Sequence, residues 1–174
     1  MILNPAGADS PCALSQANLS PTALSQRLLT RRAVDAVIWG MPIVSFDGMR
    51  QGFFRDAKAK YCDIMYWSKS STWKNQRSTP NTSTRYVIFF TNTKDQPVVV
   101  EIPPAGESAL FGTFLDAWQV PLVDVGNTGE DLGKGGKYLI LPPGYKGTQP
   151  PGYFAVSSNT YNGFVALRVI TKSE

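Results

Sequence analysis

Short apolar runs separated by turn residues fill the chain after Pro42, and this alternation most constrains the fold. The runs have the length and composition of strands and cover residues 64–68, 86–91, 98–102, 110–117, 137–141, 153–157 and 164–170. Residues 92–96 are predicted to form a hairpin loop between the second and third of these strands. Short strands at this spacing predict a mainly β fold of the β-sandwich type.

A helical pattern precedes the predicted strands. Ser20 followed by Pro21 is typical of a helix start, because serine caps the first turn and proline is tolerated at the first helical position. Gly40 followed by Pro42 predicts the helix end. Between these signals, apolar residues recur at helical spacing at Ala33, Val34, Val37, Ile38 and Met41.

The composition favours a packed domain with one appendage. Hydrophobic residues make up 43% of the 174 residues and charged residues 17%, against about 25% charged residues in an average soluble domain. Residues 1–20 are rich in Pro, Ser, Asn and Ala, and they predict a flexible lead-in. The predicted organisation is therefore a lead-in over 1–20, a helix over 21–41 and a β-sandwich domain over 42–174.

Positive charge concentrates in residues 50–77, where lysines and arginines alternate with aromatic residues. Basic residues that neutralise phosphates and aromatics that stack on bases are features of single-stranded nucleic-acid binding. No signature of a nucleic-acid-binding module accompanies them, so we expect no nucleic-acid partner. We expect this segment and an open sheet edge to contact a protein partner or a second copy. The candidate interface residues are Arg55, Tyr66, Trp67 and Trp73.

The chain contains no histidine, and this excludes the catalytic arrangements that depend on an imidazole base. It also removes the commonest zinc ligand. Cys12 and Cys62 permit one disulfide without establishing it. We therefore expect no cofactor and no metal site, and we interpret Glu130 and Asp131 as solvated loop residues rather than calcium ligands.

The glycine-rich stretch GNTGEDLGKGGKYLILPPGYKG, residues 126–147, suggests a phosphate-binding loop at first sight. A Walker loop requires G-x-x-x-x-G-K-[ST], but Gly135 follows Lys134 and Tyr138 follows Lys137. The dinucleotide pattern G-x-G-x-x-G also fails, because Tyr138 stands where the last glycine belongs. We expect a flexible connection between strands instead.

Several stretches resemble the family known as domain of unknown function 1254. They are AVIWGMPIV at 36–44, NTSTRY at 81–86, QPVVVEIP at 96–103, LDAW at 115–118 and YLILPPGYKG at 138–147. The resemblance implies an immunoglobulin-like β-sandwich preceded by helical structure. In the family this domain is the amino-terminal half of two-part proteins, and Glu174 falls where the second half begins. A reduced single-domain relative, a fragment and one part of a divided assembly all remain open.

The resemblance also bears on location and on a site. Family members often carry secretion leaders, so we expect a secreted, periplasmic or envelope location, although the amino terminus has no leader pattern. No apolar run is long enough to span a membrane. The family's Asn-x-Asp-Thr-x-Tyr stretch is matched at Asn81, Thr84 and Tyr86, while Ser83 replaces the aspartate.

The leading functional hypothesis is a non-catalytic β-sandwich module for protein binding or assembly. The alternative is a hydrolase or lyase acting on a small molecule or carbohydrate. Candidate binding residues for that alternative are Asn81, Thr84, Tyr86, Asp116 and Trp118, and they must converge in one concave pocket to support it. Glu101 and Asp116 could also form a glycosidase-type carboxylate pair, although a carboxylate that accepts backbone hydrogen bonds at a strand end is the commoner arrangement.

Overall fold

A computed structural model of the protein describes residues 20–69, residue 72 and residues 83–171. One α-helix, α1, spans Pro21–Asp56. The strands are β1 Met65–Tyr66, β2 Arg85–Asn92, β3 Val98–Ile102, β4 Ala109–Asp116, β5 Pro121–Gly126, β6 Gly136–Leu141, β7 Phe154–Ser157 and β8 Asn162–Ile170. The chain divides into two compact units at residues 39 and 40, inside α1. The predicted mainly β fold with one amino-terminal helix is confirmed.

The helix begins where the sequence predicts. The backbone nitrogen of Ala23 donates to the Ser20 hydroxyl at 3.2 Å, and the backbone nitrogen of Leu24 donates to the Ser20 carbonyl at 3.0 Å. Ser20 is therefore the amino-terminal cap, and Pro21 occupies the first helical position. The lead-in predicted over residues 1–20 lies outside the described residues apart from Ser20.

The helix is longer than the predicted span 21–41, because it continues through Pro42 to Asp56. Proline removes one backbone donor from a helix and normally ends or kinks it. Here the residues beyond Pro42 gain burial, since Phe46 and Met49 are buried against the strands that follow. The Gln119 amide also donates to the Pro42 carbonyl at 2.6 Å. Tertiary packing therefore outweighs the local stop signal.

The strands form two sheets. The five-stranded sheet has the order β1-β2-β8-β4-β5 and is antiparallel throughout. The three-stranded sheet has the order β3-β6-β7, with β6 antiparallel to β3 and parallel to β7. All the predicted strands are present, although β1 is only two residues long. The sequence did not predict β5, because it begins with a proline and carries Asp124 in its middle.

The predicted hairpin at residues 92–96 is wrong. The strands on either side, β2 and β3, belong to different sheets, so the segment connects two sheets rather than two paired strands. The start of this connection is bound to β8 and the turn before it. The Asn92 amide donates to Asn162 at 2.6 Å, and the Thr93 nitrogen donates to the Tyr161 carbonyl at 2.8 Å. A turn-length loop between two apolar runs does not reveal which sheet each run joins.

Both faces of the five-stranded sheet are packed. One face shares a core with the three-stranded sheet, and its fully buried members include Phe114, Tyr138 and Val165. The other face receives the residues of α1 from Ile43 onward, with Phe46 against Phe90 and Phe164 at ring-centroid distances of 5.8 Å. Successive residues of β8 therefore face opposite cores, as the alternation of a strand requires.

Candidate functional site

Asp116 is a structural carboxylate. It is buried at the end of β4, and its Oδ1 accepts hydrogen bonds from the backbone nitrogens of Trp118 at 2.8 Å and Val120 at 2.9 Å. These bonds hold the turn between β4 and β5, which contains Gln119 at φ 62°. The predicted alternative, a carboxylate at a strand end that accepts backbone hydrogen bonds, is thus the arrangement found. Glu101 lies in the other sheet, on β3, and is exposed.

Tyr86 lies far from Asp116 along the sheet. Tyr86 pairs with Arg168 of β8, whereas Asp116 pairs with Gly163. These positions on β8 are five residues apart, which corresponds to about 17 Å at the rise of an antiparallel strand. Thr84 immediately precedes the strand that carries Tyr86 and Trp118 lies two residues after Asp116, so they belong to opposite ends, and Asn81 lies outside the described residues. Among the described candidate binding residues, Thr84 and Tyr86 therefore lie apart from Asp116 and Trp118.

The Tyr86 ring takes part in packing. It lies 6.2 Å from the Trp67 ring in an edge-to-face arrangement, and the Arg168 guanidinium carbon lies 5.4 Å from its centroid. Trp67 in turn contacts Phe53 of α1 at 5.8 Å. This aromatic contact joins the helix to the edge of the five-stranded sheet, and it explains why Trp67 is half-buried.

The candidate interface residues have different environments. Tyr66 is 54% exposed on β1 at the edge of the five-stranded sheet. Arg55 is exposed and pairs with Asp56 at 2.6 Å, whereas Trp67 is half-buried as described above. Trp73 lies outside the described residues. Within the part of the chain described here, Tyr66 best fits the expected interface at an open sheet edge.

Part of the basic segment serves packing as well. Arg50 donates to Asp47 at 3.0 Å and 2.5 Å, and its guanidinium carbon lies 5.2 Å from the Phe54 centroid. The hydrogen bonds from Arg50 and Gln51 hold the pKa of Asp47 below its usual range. The Arg50 charge is therefore partnered by a carboxylate and by aromatic rings.

The glycine-rich loop is closed by Asp131, which corrects its interpretation as a solvated residue. Asp131 is buried, and its Oδ1 accepts from the Gly126 nitrogen at 2.6 Å and from the Tyr138 hydroxyl at 2.9 Å. Its Oδ2 accepts from the Gly135 nitrogen at 3.0 Å. Gly126 and Gly135 both have positive φ, which glycine adopts without strain. The glycines thus let the backbone wrap around a carboxylate of the chain itself.

Burial raises the pKa of Asp131, but the hydrogen bonds from Gly126, Tyr138 and Gly135 outweigh this effect and leave the pKa below its ordinary value. Burial and the neighbouring Asp131 carboxylate raise the pKa of Tyr138 well above its ordinary value. The carboxylate is therefore ionised and the phenol protonated at neutral pH, which is the pairing that a structural hydrogen bond requires.

A cavity of about 500 Å³ lies between the five-stranded sheet and β3. We call it the sheet cavity. Its lining is mainly apolar and includes Val87 of β2, Val100 of β3, Leu110 of β4 and Leu167 and Val169 of β8. A cavity of this size and character is typical of small-molecule sites. It arises because five strands on one side are matched by three on the other, so no periodicity in the sequence could have revealed it.

A few polar groups border the sheet cavity. Cys62, Glu101 and Ser108 belong to its lining. Cys62 is a free thiol, and burial raises its pKa; Cys12, the other half of the disulfide left open by the sequence, lies outside the described residues. Arg85 is the Cα partner of Val169 and donates to the Tyr66 hydroxyl at 3.4 Å. Neither Arg85 nor Tyr66 belongs to the lining itself, but Arg85 lies across from the lining residue Val169.

The first part of α1 exposes a large apolar surface. None of the residues from Pro21 to Trp39 is buried. Five side chains keep between 60% and 69% of their surface exposed, namely Leu28, Leu29, Val37, Ile38 and Trp39. We call these five residues the apolar helix surface. Exposed apolar areas of this kind mark interaction sites in soluble proteins.

Within residues 20–69, 72 and 83–171, no group of three His, Cys, Asp or Glu residues is placed to hold a metal ion. Among those residues too, the helix lacks the length of apolar sequence that crossing a membrane requires.

Comparison with known proteins places the chain in a family. Its fold is similar to the crystal structure of the VPA0106 protein from Vibrio parahaemolyticus, with a TM-score of 0.62 and 15% sequence identity. The match covers 79% of this chain and 32% of that one, so this chain spans about a third of the length of that relative. No curated protein matches the chain significantly. The family model described as Protein of unknown function (DUF1254) matches residues 63–174, and the chain belongs to that family.

Proposed function

We propose that this chain is a non-catalytic binding module, built on an immunoglobulin-like β-sandwich, which associates with a protein partner through the apolar helix surface. The observation that carries the proposal is the exposure of Leu28, Leu29, Val37, Ile38 and Trp39. Burying a large apolar side chain stabilises an association by about 1.5–3 kcal/mol, so this surface is a strong source of binding free energy.

The arrangement of the surface indicates how it is covered. Consecutive helical residues point about 100° apart, so Val37, Ile38 and Trp39 project from three sides of the helix. A flat partner would cover only one side. We therefore expect the partner to surround this part of α1, as two or more packed helices or a groove would.

The charges of the same segment favour a different chain over a second copy. Arg27, Arg31 and Arg32 lie within it, and Asp35 is the only acidic residue between Pro21 and Trp39. Two copies packed along this segment would bring arginine clusters together, which is unfavourable. A partner with an apolar groove and acidic rims would complement both features.

The immunoglobulin-like form of the sandwich rests on two supports. Both sheets contribute to one core, with Phe89 and Phe114 from one sheet and Val100, Tyr138 and Val156 from the other. The family resemblance also implies it. The parallel pairing of β6 with β7 differs from the antiparallel pairing of immunoglobulin sheets, so the proposed likeness concerns the two packed sheets and their shared core and not the pairing of every strand.

The enzyme alternative receives no support from the geometry. Asp116 is occupied by two backbone hydrogen bonds, and Tyr86 lies about 17 Å away along the sheet. This separation of the described candidates favours the binding module over the alternative, a hydrolase or lyase.

A paired-variant experiment tests the binding proposal. Leu28→Ala and Ile38→Ala together remove apolar surface while keeping a helix-forming residue, and Val120→Ala removes an apolar side chain elsewhere that is about half exposed. Tagged full-length chains are purified from the source cells, and the affinity for any co-purifying protein is measured with both variants. We expect at least about a 10-fold loss with the helix variant and no change with Val120→Ala.

Three outcomes would contradict the proposal. The first is a monomer at high concentration with no co-purifying protein. The second is a partner that both variants bind equally well. The third is a homo-oligomer by light scattering that the helix variant converts to monomer, since this would overturn the argument from charge.

A secreted, periplasmic or envelope location remains a prediction that depends on the family resemblance. Fractionation of source cells with an antibody against the chain tests it, with markers for the cytoplasm and the envelope as references. Recovery with the cytoplasmic marker alone would contradict it.

A further inference from the structure

The sheet cavity is lined by apolar residues of the β2 face that also carries the cation Arg85. We propose that it binds a small amphipathic carboxylate, with the apolar chain of the ligand in the cavity and its carboxylate on Arg85. This inference concerns a different surface from the proposed protein interface and does not depend on it.

The interior suits an apolar chain. The cavity volume of about 500 Å³ lies within the range of about 300–1,000 Å³ for small-molecule sites. Its walls are formed by Val87, Val100, Leu167 and Val169, from both sheets. Cavities walled by such side chains exclude water and take up apolar molecules. An apolar ligand would contact the wall residues of the five-stranded sheet that the three opposing strands do not cover.

Arg85 is placed to receive the head of such a ligand. In β2 it shares a face with Val87 and Phe89, because strand residues two apart point the same way. Its Cα partner across β8 is Val169, a residue of the cavity wall. The Arg85 guanidinium contacts the Tyr66 hydroxyl at 3.4 Å. Among the described residues it forms no ion pair, so its charge is available to an anion.

The other charged residue near the cavity, Glu101, does not compete with an anion for Arg85. Glu101 belongs to the lining but is exposed on β3, where its Cα partner is Lys137 of β6. Glu101 stands between the buried Val100 and Ile102, so its side chain points to the outer face of β3, away from the core that the two sheets share. A ligand with an apolar chain and one carboxylate thus satisfies both the walls and the cation. A neutral apolar ligand would leave the cation unused.

Calorimetric titration of the full chain with octanoate, decanoate and 1-octanol tests the ligand class. We expect saturable binding of octanoate and about 10-fold tighter binding of decanoate, because each buried CH₂ contributes about 0.8 kcal/mol. We expect 1-octanol, which has no charge, to bind at least about 10-fold more weakly than octanoate.

Two matched variants test whether the carboxylate of the ligand binds at Arg85. Arg85→Gln removes the proposed contact, whereas Arg168→Gln removes an arginine from the neighbouring strand on the opposite face of the sheet. We expect Arg85→Gln to weaken octanoate binding at least about 10-fold without changing 1-octanol binding. We expect Arg168→Gln to leave both affinities unchanged.

Cys62 gives an independent readout, because it belongs to the cavity lining. In a Cys12→Ser background, octanoate should slow the alkylation of Cys62 by iodoacetamide. With Arg85→Gln the same octanoate concentration should protect Cys62 less from alkylation.

A tryptophan side chain that fills the cavity should also exclude the ligand. Val169→Trp is therefore expected to abolish octanoate binding, whereas Val120→Trp, outside the cavity, should preserve it. If Val169→Trp fails to fold, the comparison of the two arginine variants decides.

Four results would overturn the proposal. They are the absence of saturable binding by both octanoate and decanoate, equal affinities for octanoate and 1-octanol, equal losses with Arg85→Gln and Arg168→Gln, and binding to vesicles of phosphatidylcholine and phosphatidylglycerol without binding of free octanoate.

Discussion

At the scale of residues, two buried aspartates serve the backbone instead of a substrate. Asp116 accepts the nitrogens of the turn after β4, and Asp131 accepts two loop nitrogens and the Tyr138 hydroxyl. Buried carboxylates are stable only when such donors replace water. Asp116 lies in the family-like stretch LDAW and Asp131 in the glycine-rich loop. The backbone hydrogen bonds that each accepts give a structural explanation for both aspartates.

Asp131→Asn tests this explanation. The amide cannot accept all three hydrogen bonds, and it places an additional donor among buried donors, so we expect the free energy of unfolding to fall by about 3 kcal/mol. Tyr138→Phe removes one of the three donors and should cost about 1.5 kcal/mol. Urea unfolding at neutral pH measures both. The control is Asp124→Asn, an exposed aspartate that accepts from Thr113, and an equal loss with this control would contradict the role of Asp131.

The pH dependence of stability gives a second test of Asp131. Because its pKa is lower in the folded state than in the unfolded state, its stabilising contribution is fully present above the ordinary carboxyl pKa of about 3.9. The contribution is lost as pH falls from there through the folded-state pKa. We expect the stability difference between the natural chain and Asp131→Asn to shrink below about pH 4. A difference that stays constant from pH 7 to pH 2.5 would show that the ionised carboxylate is not the stabilising species.

At the scale of elements, α1 joins two environments within one helix. From Ile43 onward its side chains pack on the five-stranded sheet, with Phe46 buried and Phe53 and Phe54 in contact with Phe90. From Pro21 to Trp39 no residue is buried. Since most of the stability of a helix in a protein comes from tertiary packing, the two parts should differ greatly in stability.

Hydrogen exchange measures that difference. We expect amides of residues 24–39 to exchange at least about 100-fold faster than those of residues 46–54, because packing protects only the second group. Addition of a partner that binds the apolar helix surface should slow the exchange of the first group of amides and leave the exchange of the second group unchanged. Equal protection of both groups in the isolated chain would contradict this view of the helix.

At the scale of the whole molecule, all the buried apolar residues of the described chain lie between Phe46 and Leu167. Residues before Gly40 contribute none of this core. The strand arrangement adds one further feature, the sheet cavity, at the place where a five-stranded sheet faces a three-stranded one.

A chain that begins at Gly40 is therefore expected to fold. Its thermal midpoint should lie within about 4 °C of the full-length value, because 1 kcal/mol corresponds to a few degrees in a domain of this size. Calorimetry of both chains measures the shift. Loss of cooperative unfolding, or a drop of more than about 10 °C, would show that the first part of α1 contributes to the core.

The sequence by itself determined the element types. The cap at Ser20 predicted the helix start, and the period of the apolar residues predicted most strands, because both depend on local chemistry. The absence of histidine is read directly from the sequence and excludes an imidazole-based site. Short-range rules also predicted that Asp116 would accept backbone hydrogen bonds, because that arrangement is built from adjacent residues.

Only the tertiary structure decided the remaining features, since each depends on residues distant in sequence. Pro42 did not end the helix, because burial of Phe46 and Met49 outweighs one lost hydrogen bond. The loop after β2 connects two sheets because β2 pairs with β8, which lies about 70 residues further on. Arg85 lies across from Val169 of the sheet cavity for the same reason, because β2 pairs with β8 and no local sequence pattern encodes that pairing.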